Sequence, residues 1–232
     1  MKINIIDQFG NGNIIPVQVF TFSGGEVHVK IDMEAIKEAY IDTTNSKRVE
    51  IHQDIRSSDD FMSVVMVKDA LDEIFRFHPV PIELFSLYVP YARQDRYCEK
   101  GEAFGVKAFA RLLNALGFSR VVIADPHSEV TPAVITNLDV IPQHEIAFHM
   151  LGWKLRMENF ELVSPDGGAL KKIFKLGTQM NLQVHCADKI RDTATGNIIR
   201  TDISVQDFKG ANLMIVDDIC DGGRTFIELA KV

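Results

Sequence analysis

No stretch of this chain comes near the ~20 consecutive apolar residues that a membrane-spanning helix needs, so no membrane is expected among its partners. Cysteine is scarce: Cys98, Cys186 and Cys220 make an odd count with no C-x-x-C spacing. That excludes a disulfide framework and a cysteine-rich zinc site, and it predicts free thiols. Positive charge is short as well. The formal net charge is −7, and non-specific nucleic-acid binding draws on an excess of Lys and Arg, so no nucleic acid is expected either. The opening residues MKINIIDQFGNG carry neither a basic stretch nor an apolar core with a cleavage site, which points to a cytoplasmic protein. What remains is a globular chain of 232 residues, 46% hydrophobic and 25% charged, long enough for one large or two small domains. If its substrates are polyanions, its cations must be gathered locally.

Against that background one stretch stands out, Asn212 to Thr225, NLMIVDDICDGGRT. Leu213 to Val216 is a fully apolar run of the sort buried in a parallel sheet, and it ends in two acids, Asp217 and Asp218. Asp221, Gly222, Gly223, Arg224 and Thr225 then make a tight turn into a helix expected to begin near Phe226. The glycines let backbone approach a ligand closely, and the turn's N–H groups can converge on an anion at the helix N-terminus. Carboxylates repel phosphate unless something lies between them. Vicinal ribose hydroxyls or a hydrated Mg²⁺ resolve the conflict. These features together describe a sugar phosphate, while the spacing alone also fits a polar turn after a buried strand.

Residues 2–6, 14–22 and 25–31 read as strands, the last alternating at Val27, Val29 and Ile31, with Phe22 to Glu26, FSGGE, as a turn between two of them. Residues 47–55 are a fourth strand. Ser57, Ser58 and two acids then start a helix whose apolar face is Phe61, Val64, Val67, Leu71 and Ile74. Ile82 to Val89 is the next strand, and the loop after it, PYARQDRYCEK at 90–100, gathers Arg93, Arg96 and Lys100 beside Tyr91 and Tyr97. Open α/β sheets bind ligands at the C-terminal ends of their strands. Guanidinium groups suit phosphate oxygens and an aromatic ring or Arg plane suits an adenine face, although a solvated basic loop has the same spacing.

A helix at 103–116, with Phe109, Leu112, Leu113 and Leu116 inward, stops at Gly117. Strand 120–124 ends in Asp125-Pro126-His127, an acid and an imidazole able to share a metal or a metal-bound phosphate, or to serve structure alone. VVIADPHS and LMIVDDICD are both apolar strands ending in acids ahead of a helix, which predicts two related βαβ units. Strand 160–163 opens into Ser164-Pro165-Asp166-Gly167-Gly168 before a helix carrying Leu170, Ile173, Phe174 and Gly177. Residues 182–187 and 198–203 flank Asp188 to Asp192 and a TGN turn as a hairpin, with Lys189 and Arg191 on one side of it. On spacing alone, two such cations are ordinarily solvated.

VDDICDGGRT at 216–225 resembles the ribose-5-phosphate loop of the type I phosphoribosyltransferase fold, in which two acids face the ribose hydroxyls and the following turn holds the phosphate. The ordered set is more specific. PYARQDR at 90–96, DPH at 125–127, SPDGG at 164–168, DKIR at 188–191 and the C-terminal loop resemble the signatures of ribose-phosphate diphosphokinases, with FSGGE at 22–26 similar to that family's FxDGE turn. The resemblance implies an α/β fold of two phosphoribosyltransferase-like, Rossmann-like domains, 1–142 and 143–232, with mainly parallel sheets flanked by helices. It implies Mg²⁺-dependent transfer of the β,γ-diphosphoryl group of ATP to the 1-hydroxyl of ribose 5-phosphate, with AMP released, and a homo-oligomer. By motif, Glu26, Arg93, Gln94, Asp95 and Arg96 bind ATP, and His127, Asp125 and Asp166 serve the metal. Lys189 and Arg191 are the catalytic cations. Asp217, Asp218, Asp221, Gly222, Gly223, Arg224 and Thr225 hold ribose 5-phosphate.

The chain also departs from that pattern. Gly24 stands where the family carries Asp or Asn, Gly101 and Ala103 replace residues of an R-x-P-I-S-A-K stretch, and Ile190 replaces an Arg. By the resemblance the C-terminal domain is incomplete at Val232, which leaves the 213–216 strand as an exposed sheet edge. Two other readings share parts of the motif set: a phosphoribosyltransferase that consumes phosphoribosyl pyrophosphate, and a catalytically silent regulatory subunit of a synthetase.

Overall fold

The computed structural model describes residues 1–42, 48–158, 160–191, 198–203, 205 and 207–231. The chain forms two compact units, Met1–Val140 and Ile141–Val232.

The first unit opens with β1 (Lys2–Ile6), β2 (Gly12–Ile15), β3 (Val17–Thr21), β4 (Val27–Ile31) and α1 (Met33–Asp42). It continues through β5 (Arg48–His52), α2 (Ser58–Ile74), β6 (Ile82–Ser86), α3 (Gly105–Ala115), β7 (Arg120–Ala124), α4 (Val130–Val134) and β8 (Leu138–Ile141). The strand expected over 14–22 is two strands, β2 in the main sheet and β3 in a separate ribbon with β4. Pro16 stands at the break, where its missing N–H cannot extend the ladder. Helix α1, absent from the expectations above, starts on Asp32, whose carboxylate Oδ1 accepts from the Glu34 and Ala35 N–H groups at 3.0 and 3.1 Å.

The main sheet runs β2-β1-β5-β6-β7-β8, with β5, β6 and β7 parallel and β1 antiparallel to both of its neighbours. One face carries Ile3, Ile5, Val49, Ile51, Ile82, Leu84, Val121 and Ile123, and the helices pack there through Ile36, Val64, Val67, Leu71, Phe109 and Leu113. Each of these large side chains contributes about 1.5–3 kcal/mol through burial. Helix α2 is fixed at its start by a capping box between Ser57 and Asp60, as the serines and acids there led one to expect. Along α3, Leu112 points outward at 60% exposure, against expectation: Phe109, Ala110 and Leu113 already fill the inward arc. The other sheet face bears a band of charge. Glu83 lies 3.6 Å from both Arg48 and Arg120, Glu50 is 2.9 Å from Arg48 and from His52, and Arg120 reaches Asp139 at 2.6 Å.

The second unit comprises α5 (Gln143–Met157), β9 (Phe160–Ser164), α6 (Leu170–Met180), β10 (Val184–Arg191), β11 (Ile198–Ile203), β12 (Asn212–Ile215) and α7 (Arg224–Leu229). Its sheet runs β11-β10-β9-β12 among the described residues, parallel across β10-β9-β12 and antiparallel at β10-β11. Leu162 packs against α5 and α6, whereas Val163 packs with Leu229 of α7, so successive residues of β9 serve opposite faces. Gly177 admits that packing: a Cβ there would collide with the Val184 side chain and approach the Leu182 carbonyl oxygen to 3.2 Å. Phe174 of α6 is 52% exposed. The TGN turn at 195–197 lies outside the described residues. No helix among those described is long and apolar enough to cross a membrane.

Candidate active site

The expected site residues of the first unit gather on three connections. The FSGGE turn closes the β3–β4 ribbon, with the Phe22 N–H donating to the Glu26 carbonyl at 2.9 Å and the Gly25 N–H to the Phe22 carbonyl at 2.8 Å. Gly25 has φ +90°, a left-handed conformation that favours glycine, whereas a Cβ on Gly24 would meet only Glu26 Oε2 at 3.8 Å. Backbone geometry therefore explains Gly25 and leaves the position of Gly24 open to any side chain. Phe22 touches Phe20 edge-on at 5.2 Å, and both rings are exposed beside His28.

The other two connections leave adjacent parallel strands, since Ser86 of β6 pairs with Ile123 of β7. The 90–96 loop turns at Tyr91 (φ 63°), and the DPH segment turns at Asp125 (φ 37°). Left-handed backbone at residues other than glycine costs free energy and tends to sit where surrounding contacts enforce it, often at functional sites. Arg93, Gln94, Arg96 and His127 are exposed. Gln94 is also anchored: its N–H donates to the Tyr91 carbonyl at 2.8 Å, its carbonyl accepts from Val106 at 3.3 Å, and its side chain lies on Gly105, where any Cβ would collide with it.

Asp95 differs from its neighbours. It is 7% exposed, and its Oδ1 accepts from Arg96 Nε at 2.9 Å. Burial alone would raise its pKa, but a hydrogen bond from the Ser128 hydroxyl, the Arg96 guanidinium and the nearby His127 ring together hold it below the ordinary carboxylate value. Nothing in the sequence marked Ser128, because the contact joins loops 33 positions apart.

In the second unit Asp166 follows β9 and spends Oδ1 on the N–H groups of Gly168 and Ala169, both at 3.1 Å, so it braces the turn ahead of α6. Strand β12 ends one residue short of Val216 and delivers Asp217 and Asp218, both part-buried, ahead of an exposed Cys220-Asp221-Gly222 segment. Gly223 (φ 70°) makes the bend into α7, which carries Arg224 and Thr225. Asp217 is pushed up to about 6 by its own burial, by a hydrogen bond with the Asp218 side chain and by the charges of Asp218 and Asp166, while the Asp218 N–H at 2.9 Å opposes the shift. Lys189 and Arg191 are the last residues of β10 with that type, Lys189 opposite Thr201 and Arg191 opposite Ile198 of β11; their side chains lie outside the described residues.

No family model matches the chain. Curated sequences do. Over 212 residues it is 30% identical to the ribose-phosphate pyrophosphokinase of Bacillus subtilis, covering 89% of this chain and 62% of that one. It is 27% identical over 228 residues to the enzyme so named from Pyrococcus abyssi, covering 96% and 72%, and 29% identical over 147 residues to that of Saccharolobus solfataricus, covering 62% and 50%. The chain thus spans 50% and 62% of the length of the Saccharolobus and Bacillus proteins. Its fold is that of the phosphoribosylpyrophosphate synthetase from Mycobacterium smegmatis, with a TM-score of 0.71 at 21% identity over 94% of this chain and 67% of the other. These likenesses in sequence and in fold place the chain among the relatives of the ribose-phosphate pyrophosphokinase family.

Proposed function

We propose that the chain carries the machinery for making phosphoribosyl pyrophosphate: transfer of the diphosphoryl group of ATP to the 1-hydroxyl of ribose 5-phosphate, with AMP as the other product. The observation that carries this reading is the end of β12, where an acid pair under electrostatic pressure directly precedes a left-handed glycine turn. Hydroxyls of a ribose would donate to Asp217 and Asp218, and the N–H groups and side chains of Asp221 to Thr225 would take the 5-phosphate. In the reaction the ribose O1 bonds to the β-phosphorus, the bond from that phosphorus to the oxygen bridging to the α-phosphorus breaks, and the 1-hydroxyl loses its proton. Such transfers depend on positioning and on neutralising the transferred oxygens. Glu26, Arg93, Gln94 and Arg96 would bind the nucleotide. Lys189 and Arg191, on a two-stranded ribbon, would close on the diphosphate and keep water away.

Mg²⁺ suits the donor set. Burial and the neighbouring Asp218 and Asp166 push the Asp217 pKa up to about 6, and a cation relieves such crowding. Among the described residues no three His, Cys, Asp or Glu side chains form a cage, and Mg²⁺ characteristically takes phosphate oxygens and waters around one or two protein ligands. By motif, His127 and Asp125 would serve such an ion in the first unit, and Asp166, beside Asp217, would serve one in the second. When bound, the ion supplies charge neutralisation on the phosphate oxygens.

A coupled assay for AMP release tests the reading. Release that requires both ribose 5-phosphate and Mg²⁺, and that fails in Lys189→Ala, is the expected result. ATP turnover indifferent to ribose 5-phosphate would overturn it.

A further inference from the structure

We infer that the turn bearing Glu26 takes a nucleoside triphosphate with little regard for its base, because Gly24 leaves the Glu26 carboxylate to read the base edge with no fixed donor beside it. The inference deepens the diphosphokinase reading and rests on it for the presence of a nucleotide at this turn.

The β3–β4 ribbon has two unlike faces. Val27, Val29 and Ile31 are buried along one of them. Gln18, Phe20, Phe22, Glu26, His28 and Lys30 are exposed. The register pairs Gln18 with Lys30 and Phe20 with His28, and the bond from the Phe22 N–H to the Glu26 carbonyl at 2.9 Å carries the alternation to the tip. Glu26 therefore stands at the end of a row of rings. Phe20 and Phe22 are 5.2 Å apart, and His28 lies 5.3 Å from the first and 5.8 Å from the second. Rings hold a flat base by stacking, which is indifferent to its identity because every base has a π-face. Selection must then come from hydrogen bonds to the base edge.

The tip turns through Ser23, Gly24 and Gly25, closed by the bond from the Gly25 N–H to the Phe22 carbonyl at 2.8 Å. Left-handed backbone at Gly25 (φ +90°) is what a three-residue hairpin turn uses in its last position. Position 24 makes no such demand, and a Cβ there would have only Glu26 Oε2 within 4 Å, at 3.8 Å. The turn has room for a side chain and carries none. What it offers a base is the Glu26 carboxylate, which only accepts, and the Ser23 hydroxyl, which rotates to donate or accept. Adenine, guanine, cytosine and uracil each present an N–H on their pairing edge, so a lone carboxylate finds a donor on any of them. Adenine differs from guanine at N1, an acceptor in one and an N–H in the other, and no fixed donor in the turn tests it. Of the other residues assigned to the nucleotide, Gln94 has its side chain against Gly105, and guanidinium groups suit phosphate oxygens and ring faces.

Calorimetric binding of ATP, GTP, CTP and UTP with Mg²⁺ tests the inference without turnover. Wild type is expected to bind all four within about tenfold of one another. In Gly24→Asn the neighbouring carboxylate turns the amide's NH₂ group towards the base edge, where it meets an acceptor on adenine and an N–H on guanine. ATP should then bind about tenfold or more tighter than GTP, the worth of about one hydrogen bond. Gly24→Ala, a side chain without a donor, keeps the wild-type ratios, and Glu26→Ala weakens all four alike. ATP bound a hundredfold tighter than GTP by wild type, or a ratio that Gly24→Asn does not move, or that Gly24→Ala moves as far, would overturn the inference. Release of AMP and GMP in the presence of ribose 5-phosphate separates this from failure of the functional reading. Indiscriminate binding with neither product released keeps the inference and sinks that reading, whereas AMP release with GTP excluded does the reverse. A chain that binds none of the four loses both.

Discussion

Replacing Asp217 with Asn should make the second unit more stable at neutral pH while abolishing function. Asp217 starts from an ordinary value of 3.8 and is pushed up to about 6 in the folded chain. A folded pKa above the unfolded one means that the native state binds the proton more tightly, so the native state is favoured at low pH. That advantage is complete below pH ~4, is lost as pH rises through ~6, and leaves a standing penalty above it. Two pKa units correspond to about 3 kcal/mol. Asp217 is only half-buried, and solvent screening reduces the figure to about 1–2 kcal/mol. Asparagine keeps a carbonyl oxygen for the Asp218 N–H now at 2.9 Å, so the variant loses the charge without losing that bond. The assay is urea unfolding followed by the fluorescence of Trp153, the chain's single tryptophan, which belongs to the second unit. At pH 7.5 the variant's midpoint should lie above that of the wild type, and the two should converge towards pH 4.5. A variant less stable than wild type at pH 7.5, or a gain that does not change with pH, would refute the electrostatic account.

Four further outcomes can be checked with the same tools. Mg²⁺ should raise the wild-type midpoint at pH 7.5 and raise that of Asp217→Asn much less, because the ion relieves a repulsion the variant lacks; removal with a chelator should reverse it. Gly177→Ala forces a Cβ against the Val184 side chain and should destabilise the second unit by about 1–3 kcal/mol, read by Trp153 fluorescence. Ser57→Ala breaks the capping box of α2 and should cost the first unit about 1 kcal/mol, seen as a lower midpoint by circular dichroism. Gly105→Ala displaces the Gln94 side chain and should raise KM for ATP with little effect on KM for ribose 5-phosphate.

The strands ahead of each candidate loop were legible because their apolar runs end abruptly: β6, β7, β9 and β12 lie within a few residues of the apolar segments read from the sequence. Ser57 and Asp60 were legible as a cap because a capping box is local. Pro16 was present in the sequence, yet the apolar residues on both sides of it masked its effect and one strand was read where there are two. Leu112 shows the limit of periodicity, which gives a helix's apolar arc but not how much of it a neighbour covers. The same limit applies to Glu83, a buried acid in the middle of β6, whose arginine partners Arg48 and Arg120 come from the strands on either side. Around the site, residue types were legible and their roles were not. Asp95 belonged to a motif read as nucleotide-binding, and only the fold brings Ser128 to it.

Asp95 and Asp217 both follow strands of a parallel sheet, and burial acts on both in the same direction, yet their proton affinities move oppositely. The difference is the company each keeps. Arg96, Ser128 and His127 around Asp95 are all donors or cations, so its charge is settled within the protein and a ligand would add nothing to it. Around Asp217 the neighbours are Asp218 and Asp166, which worsen its position, and only the Asp218 N–H eases it. An acid in the first situation holds structure. An acid in the second gains from whatever brings hydrogen-bond donors or positive charge, which is what ribose hydroxyls and Mg²⁺ offer, so part of the proton on Asp217 at pH 6 should leave when they bind. Proton release measured on adding Mg²⁺ and ribose 5-phosphate at pH 6, present in wild type and lost in Asp217→Asn, would identify Asp217 as that acid; equal release from both would assign the proton elsewhere.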